Sequence, residues 1–138
     1  MKKFYVLFVL FIGLASCSIE DEDRPAYSTD FVGIESVDMP EEFILGQTHE
    51  ITMTFLRPTS CHLFYDLFYD IEENQRTVAI TTISPVEQDC EVLEDDEVEV
   101  SFNFEVLDTE PYVFRFYQGE DENGEDVFHI VEVPVSIE

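Results

Sequence analysis

Between Glu97 and Leu107 every second residue is apolar: Val98, Val100, Phe102, Phe104 and Val106 alternate with Glu97, Glu99, Ser101, Asn103 and Glu105. Successive side chains of an extended strand point to opposite faces, so this run buries one face and solvates the other. The alternation predicts a half-buried antiparallel strand. The same period predicts strands over 31–37, 50–56, 62–71, 76–83, 112–117 and 127–135. Seven strands in roughly 110 residues leave no room for a sizeable helix.

Turn chemistry supports the partition. Asp38-Met39-Pro40, Arg57-Pro58, Glu72-Glu73-Asn74, Ser84-Pro85 and Glu110-Pro111 interrupt the runs. Asn123-Gly124, between the last two runs, favours a tight reversal with φ > 0. Pro134 lies inside the final run, and because proline donates nothing to a ladder, that strand is expected to be at an edge or to end there.

The formal net charge is -26, with 6 Lys and Arg against 32 Asp and Glu. Such a charge usually signals disorder, but 45% hydrophobic residues with 13 Phe and 6 Tyr are too many to leave in water. Nucleic acid is excluded as a partner, because a polyanion would meet almost no cations and the counterion-release term would be missing.

Short strands with turns at this spacing predict an all-β fold, an antiparallel two-sheet sandwich of about seven strands, with a small barrel as the alternative. Asp108, Tyr112 and Phe114 sharpen it. Their spacing resembles the tyrosine corner of immunoglobulin-like domains, which implies that the Tyr112 hydroxyl bonds back to the chain just upstream. The inward cysteine common in that family is Phe114 here, and its core Trp is absent. The resemblance covers residues 28–138 at the level of architecture.

Residues 1–16 have a different composition: Lys2 and Lys3, an apolar run from Phe4 to Ile12, then Gly13, Leu14, Ala15 and Ser16. The run is too short for a permanent membrane span, which needs about 20 residues, and its flanks fit a cleaved signal peptide. Leu14-Ala15-Ser16-Cys17 resembles the lipobox of bacterial lipoproteins. The resemblance implies that Cys17 is lipidated, becomes the new N-terminus and moors the chain to the membrane through two or three acyl chains. Residues 17–27 would form an acidic tether, and 28–138 the folded domain. The Glu20-Asp21-Glu22-Asp23 run is similar to the export signal that carries Bacteroidota lipoproteins to the outer surface of the outer membrane; its alternative is a self-repelling spacer, which fits the periplasmic face of that membrane equally well. Without residues 1–16 the chain has four arginines, no lysine and 32 acids, a formal charge of -28.

Beyond Cys17 only Cys61 and Cys90 remain, an even pair in a chain bound for an oxidising compartment, and a disulfide between them is expected. No Cys-x-x-Cys or nearby histidine pair suggests zinc. Catalysis has little to stand on, since there is no Gly-x-Ser-x-Gly, no His-Glu-x-x-His and no glycine-rich phosphate loop.

Two local features are candidate sites. The tandem Leu63-Phe64-Tyr65-Asp66 and Leu67-Phe68-Tyr69-Asp70 places Phe64, Asp66, Phe68 and Asp70 on one strand face, a candidate platform for a sugar or peptide. The acidic turn with Asp121, Asn123, Glu125 and Asp126 gathers hard oxygens suited to weak calcium binding, although it lacks the EF-hand spacing. No other cofactor is expected. The expected function is a non-catalytic, surface-exposed binding or accessory lipoprotein. Its competitor is an acidic inhibitor or scavenger of a cationic protein such as a lysozyme, or of cationic peptides, drawn in by the field of the acids.

Overall fold

The computed structural model describes residues 25–138, in which the two-residue period becomes ten strands. They are β1 (Tyr27–Val32), β2 (Ile34–Asp38), β3 (Phe43–Ile44), β4 (Thr48–Leu56), β5 (Leu63–Glu72), β6 (Gln75–Pro85), β7 (Glu97–Glu105), β8 (Tyr112–Glu120), β9 (Asp126–Val133) and β10 (Val135–Ser136). Among the described residues no helix is long and apolar enough to cross a membrane. Strands β1, β5, β6, β8 and β9 form one sheet, β2, β4 and β7 a second, and β3 and β10 a short clip. The two larger sheets pack into an all-β sandwich.

The strand expected over 31–37 is in fact two. The chain leaves β6 after Val32, passes Gly33, and joins β4 in the opposite sheet from Ile34 onward. A side chain at Gly33 would place its Cβ 2.5 Å from the Gln118 carbonyl oxygen, so only glycine lets the crossing pass this close to β8. Gln118 is itself the extra residue of a bulge, where the β8–β9 register shifts between Tyr117 and Gly119.

The pairing is also less uniform than an antiparallel sandwich. β6 and β8 run parallel from Gln75↔Val113 to Val78↔Phe116, and β10 runs parallel to β3. Between β6 and β8 the chain visits the other sheet as β7, and two reversals return it in its original direction. Pro134 falls in the break between β9 and β10, as its missing N–H requires. Its carbonyl accepts from Phe43 N–H at 2.9 Å, which fastens the C-terminal segment to β3.

The inner rows meet between the sheets. β4 contributes Ile51, Met53 and Phe55, β6 contributes Val78 and Ile80, and β8 contributes Phe114 and Phe116, all fully buried. At one end Phe43, Phe104, Tyr112 and Phe114 interlock, with Phe104 centred 4.8 Å from Tyr112 and 5.2 Å from Phe114, both edge to face. Each fully buried Phe contributes about 2–3 kcal/mol relative to exposure. The long alternation behaves as expected: Phe104 and Val106 are buried, Val98, Val100 and Phe102 are partly buried against the core, and the intervening polar residues are exposed.

The Tyr112 hydroxyl accepts from Leu107 N–H at 3.2 Å and Asp108 N–H at 2.9 Å, while Asp108 Oδ1 accepts from Thr109 N–H at 2.7 Å. This local tyrosine corner fixes the passage from β7 to β8. Satisfying two backbone donors with the hydroxyl of this buried tyrosine contributes about 1–2 kcal/mol. Cys61 and Cys90 are joined in a disulfide with Cα atoms 5.6 Å apart. It ties the loop before β5 to the loop before β7, beside the Thr59↔Val92 bridge and the 2.7 Å Arg57–Asp96 ion pair.

Candidate functional site: an aromatic cradle on the outer sheet face

Strands buried on one face leave the other to solvent, and on the five-stranded sheet that outer face carries aromatic residues in place of the usual polar ones. On β8, Tyr112, Phe114 and Phe116 point into the core, so Val113, Arg115 and Tyr117 point out. Tyr117 pairs with Phe128 of β9, Phe31 of β1 pairs with Thr81, and Phe68 of β5 pairs with Ala79. Four aromatic rings from four strands therefore gather around β6, whose small Ala79 and Thr77 leave a depression between them.

The rings contact one another edge to face. Phe31 lies 5.8 Å from Phe68 and 5.9 Å from Tyr117, and Tyr117 lies 5.9 Å from Phe128. Together with Thr77, Ala79, Glu120 and Asp126 they line an open cavity of about 300 Å³. That is the low end of the ligand-pocket range of roughly 300–1,000 Å³, enough for one sugar ring or one large side chain. Phe31 and Phe68 remain 55% and 46% exposed, far more than a structural role requires.

The rim is acidic. Glu120 and Asp126 are register partners at the end of the β8–β9 hairpin, so two like charges sit side by side. Burial, with the negative charges of Asp126 and Glu120 added, raises the Tyr117 phenol above its ordinary pKa. The surface already accepts one cation: the Arg115 guanidinium lies 4.0 Å over the Phe128 ring. In chemical terms the cradle offers flat apolar faces for stacking, a phenol, and two carboxylates that accept hydrogen bonds or pair with a positive group.

The expected platform is redrawn here. The β5–β6 register shifts between Phe64 and Asp66, which makes Tyr65 a bulge residue. Asp66, Phe68 and Asp70 stand opposite Thr81, Ala79 and Thr77 on the outer face, but Phe64 stands opposite Thr82, whose side chain is buried. One extra residue resets the alternation, so Phe64 leaves the row it would have shared with Phe68. Phe31, Tyr117 and Phe128, from three other strands, take its place.

In the acidic turn, Asp121 is occupied by the backbone. Its Oδ1 accepts from Asn123 N–H at 2.8 Å and Glu125 N–H at 3.0 Å, and Gly124 takes φ 76°. Asp126 turns to the cradle instead. Asp121, Asn123 and Glu125 lie in the β8–β9 turn and Asp126 opens β9, and among the described residues no three His, Cys, Asp or Glu side chains are gathered to hold a metal ion. The expected lipidation site Cys17, the expected signal peptide and the acidic run lie outside the described residues. Comparison with family models, with curated proteins and with solved structures finds no match to this chain.

Proposed function

We propose that the chain is a non-catalytic lipoprotein of the bacterial outer membrane, anchored through acylated Cys17, facing the cell surface, and serving as a binding module. The aromatic cradle carries the reading. A sheet face solvated by exposed Phe31 and Phe68, at an energetic cost in water, is explained by a ligand that covers it. The acidic tether would hold that face off an anionic membrane. The module needs no cofactor, and its ligand is a glycan or peptide that stacks on the rings.

The anchor and the cradle are tested separately. Mass spectrometry of the chain from membranes is expected to find Cys17 as an acylated N-terminus; a free thiol there ends the lipoprotein reading. For the cradle, a glycan and peptide array is probed with the full chain, then with Phe68→Ala and Tyr117→Ala. Binding that survives a rise from low to physiological salt and falls at least about tenfold in either variant supports stacking. The acidic rim favours a second reading, an inhibitor or scavenger of a cationic protein such as a lysozyme. That reading expects affinity for the cationic protein to collapse over the same salt range and to ignore Phe68→Ala.

A further inference from the structure

β5 is an edge strand of ten residues with one neighbour among those described, β6, and nine of its ten residues are exposed. Its two rows differ. Asp66, Phe68, Asp70 and Glu72 alternate with Leu67, Tyr69 and Ile71, and the second row points toward the other sheet. There Tyr69 meets Phe102 of β7 at 5.8 Å, edge to face. β7 is likewise the edge of its own sheet. The two edges do not close on each other. Between them lies an apolar groove of about 380 Å³, lined by Leu67, Tyr69, Ile71, Phe102 and Leu107. Arg76 sits at its floor with its guanidinium already donating to the Glu73 and Gln75 carbonyls at 2.8 and 3.0 Å.

The two-residue reversal at Glu73-Asn74 closes on the Glu72↔Gln75 pair. In such a hairpin the closing pair exchanges both hydrogen bonds, and bonded pairs then alternate along the ladder. The N–H and C=O groups of Tyr69 and Ile71 therefore point away from β6, into solvent. Leu67 N–H does the same and is capped by Asp66 Oδ1 at 2.8 Å, so the edge is blocked near the bulge and open beyond it.

We propose that the open end of β5, from Phe68 to Glu72, takes an added strand from a cationic partner: an extended segment in which apolar residues alternate with Lys or Arg. Main-chain bonds to Tyr69 and Ile71 would extend the sheet, apolar side chains would fill the groove against Tyr69 and Phe102, and cations would lie beside Asp66, Asp70 and Glu72. Charge selects this occupant over a second copy of the chain. Two copies paired edge to edge would set identical acidic rows against each other, on chains of formal charge -28 once residues 1–16 are gone. The proposal concerns the backbone edge of β5 and the groove beside it, which touch the cradle only through Phe68, and the main-chain bonds at Tyr69 and Ile71 test it independently of what the cradle binds.

The test uses the full chain in detergent and a synthetic peptide of about eight residues alternating lysine and valine. Its controls are the same residues in block order and two versions N-methylated on alternate residues. The alternating peptide is expected to bind at least about tenfold tighter than the block peptide, to be abolished by N-methylation in one frame only, and to slow amide exchange at Tyr69 and Ile71. Asp70→Lys should weaken it about tenfold while leaving the circular dichroism of the fold unchanged. Equal binding of block and alternating peptides would reduce the effect to bulk charge and overturn the proposal. So would protection of Tyr69 and Ile71 in the protein alone at concentrations where sedimentation shows dimers, which would make a second copy the occupant.

Discussion

Gly33→Ala is expected to lower the stability of the domain by about 3 kcal/mol and its melting temperature by roughly 10 °C. The cost arises from contact, not from backbone conformation. The new methyl would lie 2.5 Å from the Gln118 oxygen and 2.8 Å from its carbonyl carbon, both backbone atoms that no rotamer change can move aside. Either the crossing from one sheet to the other must lift off β8 or the β8 bulge must flatten, and each loosens pairs that register the core strands. Gly124→Ala is the control. That glycine has φ 76° and open space around it, so alanine there meets only the left-handed backbone penalty of about 1 kcal/mol. Thermal melts of the two variants decide the matter: a loss at position 33 no larger than at position 124 would mean that the crossing is not held close to Gln118.

The double variant Cys61→Ser, Cys90→Ser is expected to lose about 3–4 kcal/mol, on the order of 12 °C in melting temperature, with the fold retained. The bond links residues 29 apart in sequence, and its effect falls mainly on the unfolded chain, whose freedom it restricts. The native loops have other ties. Ser60 N–H donates to the Glu91 carbonyl at 2.8 Å, Leu93 N–H to the Pro58 carbonyl at 3.0 Å, and Arg57 N–H to the Asp96 carbonyl at 2.9 Å. Chemical denaturation with and without reductant measures the difference; coincident midpoints would show that the staple restrains nothing the loops do not already hold.

What could be read in advance follows from how local each signal is. The inner row of β7 is a period-two pattern complete in eleven consecutive residues, and the tyrosine corner is complete in seven, so both were legible. The split at Gly33 was not. Glycine inside a run is compatible with an unbroken strand, and only the approach of Gln118, 85 residues away in sequence, makes it a crossing point. The parallel β6–β8 pair depends on the detour through β7 and leaves no mark on either strand. The cradle was half legible. Phe68 was visible in its tandem, but the bulge that removes Phe64 is set by the pairing with β6, and Phe31 and Phe128 reach the site through partners far off in sequence. A signal did exist on β8: Tyr117 is an aromatic residue out of phase with the buried row of Tyr112, Phe114 and Phe116, and so had to face solvent or a ligand.

The clip between β3 and β10 bears on the order of assembly. Phe43 is fully buried at the centre of the aromatic cluster, yet its backbone N–H donates to the carbonyl of Pro134, and that of Leu45 to the carbonyl of Ser136. A nascent polypeptide emerges from its amino end, so this wall of the interior stays open until residues 134–136 have been made. Closure of the core around Phe43 therefore waits on a segment that neighbours it in space but lies 92 residues further along the chain, as the Val135↔Phe43 pair shows.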